Sequence, residues 1–582
     1  MKQLSQKKAY IILTLIILSA LMLYTYFFFA KKKGYDSDEV WSYALSNSYY
    51  RPFLETTAGW NIAYTKEDTH YISEWFNGSV YHDYITVQKG QQFSYDSVWY
   101  NQANDVHPPL YYAIIHTICS FFPDIYSPWF ALSVNYAAFI LVMLLLFRFC
   151  QKWGSPTFAL IACALYAFSG GATDTYTFLR MYGLCALWAT LLFYLLYGYL
   201  SKPSRKILIL LSLITVCASL THYYLILFAF FLTSVTEIYL LVKKQWKNFF
   251  LLGLTMLFSV LLAFCIFPSA ITHLFLRGGD FSAQKMSLYC QIKYIMSLIS
   301  WQFTGISFSI YHTMFPLYAA TVLAILSVIL LFSFILFRRE KLAAHFFHKV
   351  KELGLIIYHC LQKTVKSLPF LYGIPVATML CLYVFFVFNL PLATMKENSI
   401  RYLCPFYPLL LWAVMIFLKT LIKTICPKSH YLFVTSVLLL IVFTCSSNLL
   451  TSHPLLYDSI DTYGVKIDDL EADAYYIVFL EEPSRFSNFS MNLQTKDTIY
   501  TVCKKGFYTS ELPASLFQLP SDTETPVYLL YSATENDNVI VKGTKSKAEW
   551  LDMIGKLPYV TECIQIGTDC TNGYPVEIYR LR

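Results

Sequence analysis

Long uncharged apolar runs, separated by short basic segments, dominate the chain. The first run, 10–30, holds 21 residues without a charge. At about 1.5 Å per residue, that is enough to cross roughly 30 Å of hydrocarbon. Further runs lie at 127–147, 155–170, 183–200, 207–220, 223–242, 249–267, 314–337, 368–390, 403–418 and 431–450. Together they predict a mainly α, polytopic membrane protein of about eleven transmembrane helices. The segment 108–122, PPLYYAIIHTICSFF, has 13 residues after its two prolines. A run that short reads as an interfacial or re-entrant helix.

That reading sets the sidedness of everything after it. With the N-terminus in the cytoplasm, the inside loops are 148–153, 202–206, 243–247, 338–366 and 419–428. All are rich in Lys and Arg, as short cytoplasmic loops should be. Counting 108–122 as a span would reverse every one of them. Lys31, Lys32 and Lys33 are the exception: they fall outside, where their side chains are expected to snorkel to head groups as a topology anchor. The first loop, 31–107, is 77 residues long, and compact proteins seldom keep such a loop without a use for it. The tail from 451 has ordinary soluble composition. Its β-rich runs YYIVFL and PVYLLY and an amphipathic stretch at 546–557 predict a small α/β domain. Ser546 and Glu549 have capping-box spacing at the start of that stretch. The expected division is a membrane domain at 1–450, with the first loop and its interfacial helix at 31–126, and an extracytoplasmic domain at 451–582.

Composition agrees. The 582 residues are 57% hydrophobic and 14% charged, with mean hydropathy +0.48, against about 25% charged in soluble proteins. The net charge of +8 belongs to topology-setting loops, so no nucleic-acid partner is implied. The first run exceeds the 7–15-residue core of a signal peptide and lacks a small-x-small cleavage site, so it reads as a retained anchor. Cys503, Cys563 and Cys570 lie in the tail, where three thiols allow at most one bridge, and no Cys/His spacing suggests zinc.

The spans carry almost no ionisable groups apart from Glu237. Ion-coupled transporters place such groups near the bilayer midplane. Here the acids crowd into the first loop, and Arg180, Arg277, Lys285, Lys396 and Arg401 flank outside turns. This distribution fits an enzyme at the outer interface better than a carrier.

Four short segments carry the candidate chemistry. Asp38-Glu39 follows the first run by eight residues. It is either a solvated loop pair or a base at the water edge, with Asp36 as a rival. Asp105 and His107, in NDVHPPLYY, either cap the next helix or orient Asp38 or an acceptor. Arg180 and Tyr182, in FLRMYG, either anchor a helix or grip phosphate with a planar guanidinium fork. His222, in SLTHYY, and Arg401-Tyr402, in NSIRYLCP, again enter spans from outside. Under one topology all four segments fall on one membrane face.

The Asp-Glu pair, His-Pro-Pro-Leu-Tyr-Tyr, Arg-x-Tyr and the late Arg-Tyr-Leu-x-Pro resemble the GT-C glycosyltransferases over roughly residues 1–450. The closest resemblance is to the bacterial branch related to protein O-mannosyltransferases and lipid A aminoarabinose transferases. The resemblance implies a sugar donor on polyprenyl phosphate, membrane lipids as surroundings, and an extracytoplasmic acceptor hydroxyl on an envelope lipid, polymer or protein. It implies that Asp38 is the general base, supported by Glu39, Asp105 and His107. Arg180, Tyr182, His222, Arg401 and Tyr402 would face the donor phosphate and lipid, and direct displacement would invert the anomeric centre. The oligosaccharyl branch holds a divalent cation with paired acidic motifs; here the second outside loop offers only Asp174, in GATDTY. The alternative reading is a flippase of lipid-linked sugar precursors.

Overall fold

A computed structural model describes residues 4–56, 69–275, 401–425, 430–504, 512–520, 524–532 and 545–582. The expected spans at 314–337 and 368–390, and Arg277, Lys285 and Lys396, lie outside these residues.

The described apolar runs fold as helices. The first is α1 (Gln6–Tyr26), extended by a wider turn at Phe27–Lys31. The first loop is largely helical: α2 (Ser37–Asn47), strand β1 (Trp75–Phe76), α3 (Ser79–Ile85), α4 (Tyr95–Asn104) and α5 (Leu110–Ser120). At 11 residues α5 is too short to span. The helices continue as α6 (Trp129–Trp153), α7 (Pro156–Ala167), α8 (Gly170–Thr177), α9 (Tyr182–Ser201), α10 (Arg205–Ser219), α11 (Tyr224–Val242), α12 (Trp246–Ile266) and α13 (Ser269–Phe275). After residue 400 come α14 (Tyr407–Ile425) and α15 (His430–Leu450). Among the described residues, five helices are long and apolar enough to cross a membrane, or six if α7 and α8 form one broken span.

The GATDTY segment, expected in the second outside loop, is helical and makes up most of α8. Its axis bends 62° from that of α7. Ser169 starts it by accepting from the Ala172 amide at 3.3 Å, a side-chain cap that satisfies a donor the helix itself cannot. All eight residues of α8 are buried.

The tail is an α/β unit. Its strands are β2 (Tyr463–Gly464), β3 (Tyr475–Leu480), β4 (Thr498–Cys503), β5 (Val527–Ser532), β6 (Cys563–Thr571) and β7 (Tyr574–Leu581). The sheet order is β1-β4-β3-β5-β7-β6-β2. β3 pairs in parallel with β4 and β5, and the other pairings are antiparallel. Every residue of β3 is buried, as a central parallel strand covered on both faces should be. The amphipathic stretch forms α16 (Lys547–Ile554) with the Ser546/Glu549 capping box, and its Trp550 packs edge-on to Phe479 at 5.3 Å.

Two features tie the tail to the rest of the chain. The edge strand β1 comes from the first loop, with Trp75 opposite Tyr500 and Phe76 opposite Ile499. Along β3, Tyr476, Val478 and Leu480 join the core shared with the membrane helices, while Tyr475, Ile477 and Phe479 join the separate core under α16. The strand's alternation therefore makes one face of the sheet continuous with the membrane core. The tail thiols Cys503, Cys563 and Cys570 are all free.

Candidate functional site

The site starts at the first turn of α2. Asp36 caps this helix, with Oδ1 accepting from the Asp38 amide at 2.8 Å. Glu39 closes a capping box, its Oε2 accepting from the Asp36 amide at 2.9 Å. The spacing Asp36-x-x-Glu39 is the sequence signature of this arrangement. Asp36, the rival base in the sequence, holds the helix start and also lies 3.8 Å from Arg401 Nη1.

Glu39 is wholly buried and structurally saturated. Oε1 accepts from the Leu179 amide at 2.9 Å, and Oε2 pairs with Lys32 Nζ at 2.9 Å. Burial still pushes its carboxyl above the ordinary range, against the pull of Lys32 and the two amides. Lys32 corrects an expectation. Its side chain is 4% exposed and turned inward on Glu39, with Nζ also donating to the Leu455 carbonyl at 3.1 Å, so it does not reach head groups. The buried Glu39 carboxylate needs a counter-charge more than Lys32 needs water. Removing one partner of a buried ion pair strands the other. Lys32→Met should therefore lower stability by about 3–5 kcal/mol, read as a fall in the unfolding midpoint. An unchanged midpoint would show that the amides alone hold Glu39.

Asp38 sits one helical position before Glu39 and faces the other way. Its Oδ2 meets Arg401 Nη1 at 2.7 Å and Arg180 Nε at 4.0 Å, with 15% of the side chain still open. Burial raises its carboxyl, but Arg401, Arg180 and His107 outweigh that and hold it at about 2. Arg180, 1% exposed, donates from Nη1 to the Tyr112 hydroxyl at 2.8 Å and to Ser42 Oγ at 3.5 Å. Its Nη2 meets His107 Nε2 at 3.4 Å. His107 Nδ1 lies 2.8 Å from Asp105 Oδ2. Asp105 therefore pairs with His107. The residue at the capping position of α5 is Pro109, and α5 has no side-chain cap. Burial raises the Asp105 carboxyl, and His107 and Arg180 bring it below the ordinary range.

Aromatic rings line the adjoining crevice. His222 lies 6.2 Å from His107 and 6.0 Å from Tyr182, centroid to centroid. Tyr402 stands edge-on to Tyr182 at 6.0 Å and to Tyr224 at 6.3 Å. Arg401 lies over the Tyr402 ring at 5.1 Å. Cys185, Leu225, Pro405 and Phe406 complete the crevice wall. His222 is pushed well below the ordinary histidine range, by burial first and then by His107, Arg180 and Arg401, so it offers a hydrogen bond and no charge. Nε of Arg180 and Nε of Arg401 are buried without a hydrogen-bond partner among the described residues. Two guanidinium groups converge on one carboxylate, and the Arg401 group lies over Tyr402, one of the rings lining the crevice.

The structure thus brings together Asp38, Asp105, His107, Arg180, Tyr182, His222, Arg401 and Tyr402, with Glu39 behind them as a support. Asp174 lies elsewhere. Fully buried on α8, it pairs with His453 Nδ1 at 3.2 Å. Among the described residues no group of three or more His, Cys, Asp or Glu is arranged to hold a metal. Sequence reasoning missed Ser42, Tyr112 and Tyr457, whose hydroxyl donates to Asp36 Oδ2 at 2.5 Å. Tyr112 lies inside the HPPLYY motif and was within reach; Tyr457 sits in a tail segment with no chemical signature.

No protein-family model matches the chain, and no curated protein matches it. Among solved structures, that of ArnT from Cupriavidus metallidurans bound to undecaprenyl phosphate aligns over 97% of both chains, at 13% identity and a TM-score of 0.38. ArnT from the same organism in the apo state aligns over 97% of both chains, at 11% identity and a TM-score of 0.36. At this level of likeness the function has to be argued from the side chains that meet around Asp38.

Proposed function

We propose that the chain is an integral membrane glycosyltransferase of the GT-C type, moving one sugar from a polyprenyl-phosphate donor to an extracytoplasmic hydroxyl. The observation that carries this reading is the convergence of Arg180 and Arg401 on Asp38, at 4.0 and 2.7 Å, with both guanidinium groups largely buried. A carboxylate beside two phosphate-competent cations matches what such a transfer needs. The acceptor must lose a proton, and the departing lipid phosphate must have its charge stabilised.

In this mechanism Asp38 takes the proton from the acceptor hydroxyl as its oxygen attacks the anomeric carbon. The bond from that carbon to the phosphate oxygen breaks, and its electron pair leaves on the lipid phosphate. Arg180 and Arg401 receive that charge, so no general acid is required. Attack from the face opposite the phosphate inverts the anomeric configuration. His107, held by Asp105, fixes one edge of Arg180. Tyr182, His222 and Tyr402 line the path for the phosphate and the first isoprene units.

Arg401 has a second consequence. A carboxylate held at about 2 is a weak base, because a general base works best near the operating pH. A donor phosphate competes for Arg401, and each positive charge drawn from Asp38 raises its carboxyl. Donor binding therefore activates the base. The acid limb of kcat, measured with donor bound, should lie at higher pH than the limb of kcat/KM for donor. Coincident limbs would contradict this coupling.

The arrangement proposed for the whole chain is about eleven transmembrane helices over 1–450, with the N-terminus cytoplasmic. The site and the domain at 451–582 lie outside. Comparing envelope glycans by mass spectrometry, with wild-type protein and with the Asp38→Asn variant, tests the function. Loss of one sugar unit from a glycan class is expected, and identical profiles would contradict the proposal.

A further inference from the structure

The residues leading into α2 run through a cradle built by the tail. On one side lie residues 455–457. The Leu455 carbonyl accepts from Lys32 Nζ, the Leu456 carbonyl accepts from the Lys33 amide at 2.9 Å, and the Tyr457 hydroxyl donates to Asp36 Oδ2. On the other side lies the β6–β7 turn. Asn572 Oδ1 accepts from the Ser37 amide at 3.0 Å, and the Asn572 amide donates to the Tyr35 carbonyl at 2.9 Å. A Cβ at Gly34 would stand 2.3 Å from the Cys570 carbonyl oxygen, so the two backbones touch. The two sides also brace each other. Gly573, at φ +72°, passes so near Tyr457 that a Cβ there would meet its ring at 2.6 Å.

We propose that Tyr457 and Asn572 are positioning residues of the transfer site, and that the tail domain acts in catalysis by setting the first turn of α2. This rests on the function proposed above. The chain of contacts is short. Asp36 uses Oδ1 to hold the Asp38 amide and lies 3.8 Å from Arg401 Nη1. Tyr457 donates to Oδ2 and so fixes the carboxylate whose Oδ1 holds the Asp38 amide. Loss of that hydroxyl loosens the Asp36 carboxylate between the Asp38 amide and Arg401. Asn572 holds the Ser37 amide in the same turn. At φ +52° it occupies a conformation that Asn and Asp tolerate better than most residues.

The test compares Tyr457→Phe, Asn572→Ala and Asn572→Asp in the full-length protein. Hydrogen–deuterium exchange of the amides at 37–40 reads the clamp without any reaction. Tyr457→Phe and Asn572→Ala should speed exchange there at least tenfold, and leave α6 unchanged. Asn572→Asp, which keeps an acceptor oxygen for Ser37, should restore the wild-type rate. In transfer assays the first two variants should lose about tenfold in kcat with KM for acceptor unchanged. Unchanged exchange at 37–40 would overturn the clamp. Faster exchange with full kcat would reduce it to a structural contact. Faster exchange in a protein whose wild type transfers no sugar would instead refute the glycosyltransferase reading.

Discussion

Replacing Asp38 by Asn should reduce sugar transfer by about 10²–10⁴-fold, the range that a positioned general base supplies. The substitution changes little else. The Asp38 amide keeps its bond to Asp36 Oδ1, Glu39 keeps Lys32 and the Leu179 amide, and the side-chain volume is nearly conserved. What disappears is the negative charge facing Arg401 and Arg180 at 2.7 and 4.0 Å. The variant should therefore insert, resist proteolysis like wild type, and still bind polyprenyl phosphate. Binding should even tighten, because the phosphate no longer competes with a carboxylate for Arg401. Near-normal turnover by purified Asp38→Asn would remove the base from the mechanism.

Arg401→Ala should be nearly as damaging by a different route. Removing one group that stabilises charge developing in a transition state costs about 10²–10³-fold, and here the same group also contacts donor phosphate in the ground state. Both kcat and the apparent affinity for donor should fall. The pH profile separates this variant from Asp38→Asn. Arg401 is the strongest of the cations that lower the Asp38 carboxyl. Without it that carboxyl moves up, so the acid limb of kcat/KM for donor should shift to higher pH. Residual activity should be lost progressively as pH falls through the new value. A variant with unchanged donor affinity and an unshifted limb would place Arg401 outside the site.

The extent to which this was legible in the sequence differs from element to element. Apolar length alone sets α1, α6, α9, α11 and α12, because hydrocarbon thickness imposes one scale on every span. The shortness of the apolar run was enough to keep α5 from being counted as a span. α8 was hidden, because GATDTYT reads as a polar turn; only the packing around it shows that a buried helix caps and bends there. At the site, Asp38, Arg180, His222 and Arg401 were recoverable because polar groups at the ends of apolar runs are few. Lys32 was misplaced for a physical reason. A lysine after a membrane helix usually reaches outward, but a carboxylate seven residues on, buried by the return of α2, turns it inward. Contacts from the tail were beyond reach, since Tyr457 and Asn572 meet residues 35–37 across more than 400 positions of sequence. The contribution of β1 to the tail's sheet was equally hidden, because a two-residue strand leaves no alternation to read.

The central claim is that a sugar leaves its lipid phosphate at Asp38. The most direct test is purified protein in proteoliposomes, supplied with a polyprenyl-phosphate sugar and an envelope extract as acceptor. Free polyprenyl phosphate and the glycosylated product are followed together by mass spectrometry. Wild type should release polyprenyl phosphate in step with a product heavier by one sugar, and Asp38→Asn should release neither. Intact donor carried across the bilayer, with no covalent product, would contradict the account and identify a flippase instead.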